Sequence, residues 1–170
     1  FGLITPRSPS FLTDGASAVV LLEREQADKF GSHASSIVRD YVYGAADPLE
    51  SLLEGPAITV PRLLERNGLS ARDVGVWEIH EAFAAQVVAN LKLLAQQKIE
   101  IPLEKINVWG GSLSIGHPFG ATGGRLLTTA TRRLEMSGER YAVVTGCAAG
   151  GTGGAILLEN PLSSSLSASR

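Results

Sequence analysis

The sequence predicts an α/β layered domain with a mixed sheet, and three observations carry that expectation. Short apolar runs of strand length alternate with segments whose apolar residues recur at helical spacing. Aliphatic residues and alanine outweigh aromatics, which make up only 6% of the chain, as is usual where strands and helices pack in layers. The 19 glycines gather at a few places that follow apolar runs instead of spreading as low complexity, so they mark turns.

The elements follow in order. A polar, proline-bearing loop over 5–13 precedes an apolar run at 16–23, read as a buried strand, and a short helix over 25–30 that Gly31 ends. Residues 37–43 alternate as a strand, Asp47-Pro48 opens a turn, and a helix over 59–66 stops at Gly68. Ser70-Ala71-Arg72-Asp73 has the spacing of a capping turn, and 74–79 is a short apolar strand. A long helix is expected over 81–97, with Phe83, Val87, Val88, Leu91 and Leu94 on a buried face. The glycine-rich loop 107–124 opens a helix through 125–136. Strand 141–145, a second glycine loop at 146–154 and strand 155–159 come next, and Pro161 with a run of serines forms a tail over 161–170.

The formal charge of −2 points to no polyanionic partner, so nucleic acid is not an expected ligand. No apolar run reaches the roughly 18 residues that span a bilayer. The single cysteine, Cys147, leaves no internal disulfide framework, which favours a reducing compartment, and with His33, His80 and His117 it shows no metal-ligand spacing. The opening Phe1-Gly2-Leu3-Ile4-Thr5 carries neither an initiator Met nor a targeting pattern, so the sequence is expected to begin within a longer polypeptide. Ser169-Arg170 does not match a Ser-Lys-Leu peroxisomal address.

Chemistry concentrates at three places. His80 ends an apolar strand and Glu81-Ala82-Phe83-Ala84 begins a helix, where the dipole depresses a histidine pKa and a neutral imidazole can donate to a developing oxyanion; a capping Glu beside a backbone-satisfied His is the plainer alternative. In Gly110-Gly111-Ser112-Leu113-Ser114-Ile115-Gly116-His117-Pro118-Phe119-Gly120, Pro118 fixes the backbone after a histidine suited to proton transfer, although a structural tight turn reads the same way. The stretch lacks the Gly-Lys-Ser/Thr of a phosphate loop. Gly146-Cys147-Ala148-Ala149-Gly150-Gly151-Thr152-Gly153-Gly154 sets a thiol among small residues at a strand end, as nucleophile, acid/base or simply a small buried side chain.

Together and in this order, the three segments resemble the C-terminal signatures of thiolases: Asn/His-Glu-Ala-Phe, Gly-Gly…Gly-His-Pro-x-Gly-x-(Ser/Thr)-Gly and Cys-x-x-Gly-Gly-x-Gly. Thr13-Asp14-Gly15-Ala16-Ser17-Ala18 also looks like the close of a thiolase N-terminal domain, so the resemblance runs from Phe1 to about Asn160. It implies a fold layered α-β-α-β-α, in which 1–33 ends the N-terminal domain and 34–160 forms a C-terminal domain with a mixed five-stranded sheet. His80, where most biosynthetic thiolases have Asn, points to the degradative branch, which cleaves 3-ketoacyl-CoA with CoA in fatty-acid β-oxidation.

By the same resemblance the nucleophilic cysteine lies in an N-terminal half outside this sequence. His117 activates it and binds the thioester oxygen, Cys147 moves the proton at the acetyl α-carbon, and His80 replaces the Asn that orients an oxyanion-hole water. The Ala149 N–H serves the second oxyanion hole. Ser10, Ala82 and Phe83 are the expected CoA-side contacts. A family loop of Ala-Gly-Asn-Ala/Ser-Ser type is here Pro6-Arg7-Ser8-Pro9-Ser10-Phe11, of which Ser10 alone keeps the pattern, with Arg7 as a candidate phosphate contact. No cofactor is implied beyond coenzyme A as substrate. Implied partners are acyl-CoA, the N-terminal half, a second copy in a dimer or higher oligomer, and a hydratase/dehydrogenase subunit. The implied location is mitochondrial, with peroxisomal or cytoplasmic as alternatives.

Overall fold

The structure, a computed structural model, describes residues 4–29 and 35–161. The expected helix end at Phe30-Gly31, the domain boundary at 33/34, His33 and the tail beyond Pro161 lie outside the described residues.

Four strands pair: β1 (Ile37–Ala45), β2 (Val74–Ile79), β3 (Tyr141–Ala148) and β4 (Thr152–Glu159), in the order β1-β4-β3-β2. β1 and β3 both run antiparallel to β4, while β2 runs parallel to β3, so the sheet is mixed as expected. The antiparallel β3–β4 pair needs only a short turn at 149–151. The parallel β2–β3 pair needs the long crossover that carries the helices.

One face of the sheet is covered by helix α2 (Gly55–Asn67), backed by α3 (Ala84–Gln96); the other is covered over β2 and β3 by α5 (Ala121–Ser137). Strand alternation splits the core accordingly. Val143, Ala155 and Leu157 join Val60, Leu63, Leu64 and Leu94 under α2, whereas Ala142, Val144 and Leu158 join Leu126, Ala130 and Leu134 under α5. In β2 the register shifts between Val74 and Val76, so Val74 and Trp77 share the α2 face although three residues apart. In α5 the buried Thr122, Leu126, Ala130, Arg133 and Leu134 follow helical periodicity, and Gly138 closes it in the left-handed region.

Several expectations are corrected. Among the described residues the sheet has four strands, not five. Beyond β2 only Ile106 forms a bridge, to Trp77, and the chain then turns at Asn107, whose φ of 44° ends any pairing. The side chain of Asn107 completes the edge instead: Oδ1 accepts from the Ile79 N–H at 2.8 Å and Nδ2 donates to the Ile79 carbonyl at 2.8 Å. Residues 16–23 form no strand and are exposed, Val20 by 82% and Leu21 by 73%, because no strand lies beside them among the described residues. A short helix, α1 (Arg24–Lys29), follows.

α2 begins at residue 55 rather than 59. Pro56 sits in the first turn, where no N–H is needed, and Pro61 inside the helix is tolerated because the Ala57 carbonyl it frees accepts from Gln97 Nε2 at 3.2 Å. α3 begins at 84 rather than 81, since the Glu81 carboxylate turns back to Asn107 Nδ2 and the Leu113 N–H while Gln86 Oε1 takes the Ala82 N–H. Of its expected apolar face only Leu94 is buried, with Gln86 and Asn90 as the other buried positions, and Val88 is half exposed. The capping turn Ser70–Asp73 is present, with Asp73 accepting from both the N–H and the hydroxyl of Ser70.

Candidate active site

β2 and β3 are parallel, so their C-terminal ends open on the same side, where ligands collect in open α/β sheets. β2 delivers His80, whose N–H donates to the Thr145 carbonyl at 2.9 Å and so stays in register one residue past the strand. Two residues beyond Thr145, β3 delivers Cys147. Between them lies Gly146, where a Cβ would come within 3.1 Å of His80 Cβ, so glycine lets the imidazole lie across the neighbouring strand.

His117 arrives from the glycine-rich loop, which contains the single-turn helix α4 (Ser112–Ile115). Gly116 has φ of 94°, and any side chain there would collide with Thr13, so only glycine brings this loop against the 8–17 segment. The His117 N–H then donates to the Phe11 carbonyl at 2.9 Å. The outcome is that the rings of His80 and His117 lie 4.3 Å apart between centroids, with the Phe119 ring 5.1 Å from that of His117.

Each imidazole is held through Nδ1 by a hydroxyl: His80 by Ser112 Oγ at 3.0 Å, and His117 by Thr122 Oγ1 at 2.7 Å. His80 is 6% exposed. Burial, reinforced by His117 and the Arg125 guanidinium, pushes its pKa down to about 4, so the ring is neutral at physiological pH. Burial and then Arg125 lower His117 as well. The neutral His80 was expected, but its cause is burial: α3 starts four residues later, so its dipole is not what neutralises the ring. Burial pushes the Cys147 thiol up, which keeps it protonated and suits it to hand over a proton rather than to attack unaided. No hydrogen bond joins Cys147 to either histidine among the described residues.

A cleft of about 600 Å³ contains the three together: His80, His117 and Cys147 line it, along with Ala82, Ala149 and an apolar wall of Tyr43, Phe119, Leu127 and Ile156. A polar, proton-exchanging end next to an apolar channel suits a substrate with a reactive carbonyl and an aliphatic portion. Ser10 and Phe83 do not line this cleft. Their segments pair with one another instead, Ser10 N–H to the Ala82 carbonyl and Ala84 N–H to the Ser8 carbonyl, and this pins the wall from which Ala82 faces inward. Arg7 is exposed.

Sequence reasoning missed the supporting groups. Ser112, Thr122 and Arg125 lie within or beside the quoted motifs but carry no pattern that says which ring they hold, and Asn107 meets Ile79 and Glu81 across 28 and 26 residues. No group of three or more His, Cys, Asp or Glu side chains able to hold a metal occurs among the described residues, and no helix among them is long and apolar enough to cross a membrane.

The family described as the thiolase C-terminal domain matches residues 32–160. A mitochondrial trifunctional enzyme β subunit from Bos taurus is 45% identical over 94% of this chain and 36% of its own length. A probable 3-ketoacyl-CoA thiolase from Caenorhabditis elegans is 46% identical over 93% of this chain and 38% of its own, and a 3-ketoacyl-CoA thiolase of Salmonella newport (strain SL254) is 41% identical over 93% and 39%. The crystal structure of human mitochondrial 3-ketoacyl-CoA thiolase superposes with a TM-score of 0.73 at 28% identity, over 81% of this chain and 34% of that one. The chain thus spans well under half the length of these proteins.

Proposed function

This chain belongs to the thiolase family, matching its C-terminal domain, and from that membership we propose that it is the C-terminal portion of a 3-ketoacyl-CoA thiolase of fatty-acid β-oxidation. The observation that carries the proposal is the convergence of His80, His117 and Cys147 on one cleft with a neutral imidazole, a second imidazole beside it and a protonated thiol.

In the proposed cycle a cysteine thiolate from outside this sequence, activated by His117, adds to C3 of a 3-ketoacyl-CoA. The C2–C3 bond breaks, its electron pair stays on C2, and the Cys147 thiol protonates that carbon, releasing acetyl-CoA. The acyl group stays on the nucleophile as a thioester until the thiol of CoA displaces it as a shortened acyl-CoA and returns the proton. His80 and His117 stabilise the thioester oxygen of the departing acetyl-CoA; the N–H of Ala149 supports the oxyanion on C3. Ala82, with Ser10 and Phe83 behind it, forms the CoA-side wall. The names of the relatives, mitochondrial and a β subunit, favour a mitochondrial setting and a partner subunit, and the proposal takes that partner as a hydratase/dehydrogenase subunit and adds a second copy of the chain. In the proposed domain division, 1–33 closes an N-terminal domain, 34–160 is the C-terminal domain and 161–170 a tail.

A self-sufficient Cys–His hydrolase is disfavoured by the raised thiol pKa and by the missing Cys147–histidine hydrogen bond among the described residues. The test is incubation of the intact polypeptide, and separately of this chain alone, with a 3-ketoacyl-CoA and CoA, followed by acetyl-CoA release and intact mass. Turnover by the intact polypeptide with none from this chain is expected. Steady release from this chain with an acyl adduct on Cys147 would overturn the assignment.

A further inference from the structure

We propose that Ser112, oriented by Arg125, is a positioning residue that fixes His80 in the tautomer whose Nε2 carries the proton, so that this ring is a permanent hydrogen-bond donor toward the cleft. The inference rests on the thiolase reading for its catalytic consequence, but its structural part stands alone.

A hydroxyl has one proton to give. Arg125 Nη2 lies 3.1 Å from Ser112 Oγ and, being a guanidinium nitrogen, can only donate to it. The other neighbour of Ser112 Oγ is His80 Nδ1 at 3.0 Å. Ser112 is fully buried, and no further acceptor lies within hydrogen-bonding reach of its Oγ among the described residues. If Nδ1 carried the proton, Oγ would accept from both sides and its own hydrogen would be buried without a partner. The hydroxyl proton therefore goes to Nδ1, which must be a lone pair, and the ring proton goes to Nε2. Nε2 makes no hydrogen bond to the protein among the described residues, and His80 lines the cleft.

Thr122 Oγ1 lies 2.7 Å from His117 Nδ1 with no guanidinium behind it among the described residues, so that hydroxyl is not turned toward its ring by a second donor as Ser112 is.

The experiment uses the intact polypeptide with its histidines labelled at the ring nitrogens, His80 being identified by its loss in His80→Asn. The wild type is expected to show His80 with a pyridine-like Nδ1 and a protonated Nε2. Ser112→Ala, which only shortens a small buried side chain, is expected to release the ring into a mixture of tautomers and to lower kcat about 10²-fold, as removal of an oxyanion donor does, with KM little changed. Arg125→Met should loosen the tautomer and Arg125→Lys should keep it. In a His80→Ala background, Ser112→Ala should cost nothing further, since its effect passes through the ring. A single Nε2-protonated tautomer surviving in Ser112→Ala, or additive losses in the double variant, would overturn the proposal. An intact polypeptide without thiolysis would refute the proposed function instead, and the ring spectra would still decide the role of Ser112.

Discussion

Asn107 offers the sharpest test of how the sheet edge supports the site. Beside the edge strand β2, its side chain acts as one rung of a strand, satisfying both backbone groups of Ile79, the residue before His80. Ile79 is 2% exposed, so Asn107→Ala leaves a buried N–H and a buried carbonyl without partners, at about 1–3 kcal/mol each. It also puts a Cβ-bearing residue without a helpful amide at φ 44°, at a further cost of about 1 kcal/mol. A destabilisation of about 4 kcal/mol is expected, a large part of a typical domain's stability. Asn107→Gly should be milder by about 1 kcal/mol, because glycine relieves the backbone and not the lost bonds.

Asn107→Asp separates geometry from charge. It keeps an acceptor for the Ile79 N–H, but its second oxygen faces the Ile79 carbonyl and the Glu81 carboxylate, which in the native protein accepts from Nδ2 at 2.6 Å. It should therefore be at least as damaging as alanine, and Glu81→Gln should restore part of the loss by supplying a donor. Urea midpoints measured on the intact protein, alongside kcat, read the whole series. An alanine variant within about 1 kcal/mol of wild type, or an aspartate variant indifferent to Glu81→Gln, would refute the reasoning.

Two further outcomes follow from the same geometry. Cys147→Ala should leave the fold intact, since the thiol has no hydrogen-bond partner in a side chain among the described residues, and should cut thiolysis by about 10²–10⁴-fold or more if the thiol is the positioned acid, as measured by acetyl-CoA release; near-normal rates would make Cys147 a packing residue. On acidification, His80 in the unfolded chain takes up its proton near 6.5 while the folded protein resists until about 4, so stability should fall as pH drops through that window and flatten below it, by up to about 3 kcal/mol from this ring, with His117 acting in the same sense; His80→Asn should flatten the slope, and an unchanged slope would contradict the depressed pKa.

What was legible in the sequence is what is enforced locally. Gly116-His117-Pro118 and Gly146-Cys147 declare themselves because a left-handed turn, a fixed φ and a close strand crossing each demand a particular residue beside the functional one. The failures share a cause as well. Glu81 read as a first-turn acid because the sequence does not reveal that Asn107 and the Leu113 N–H lie within its reach. Pro61 is accommodated inside α2 because the Ala57 carbonyl is rescued by Gln97, 40 residues away, a contact that no local pattern announces. The run 16–23 read as buried because apolar periodicity reports that a segment suits a core and not which segment covers it.

The two histidines show why composition and motif alone leave a mechanism undetermined. Both occupy strand-end or glycine-loop positions, both are depressed in pKa and both bind a hydroxyl through Nδ1. What distinguishes them is one atom further out: a guanidinium stands behind Ser112, and no second donor reaches Thr122 Oγ1 among the described residues. Arg125 therefore acts twice, through space by disfavouring protonation of both rings and, in the arrangement proposed above, through Ser112 by turning its hydroxyl toward His80. Exchanging the hydroxyls between the two positions would leave the motif chemistry almost unaltered, whereas removing the guanidinium would free the Ser112 hydroxyl to turn and release the His80 ring from a single tautomer.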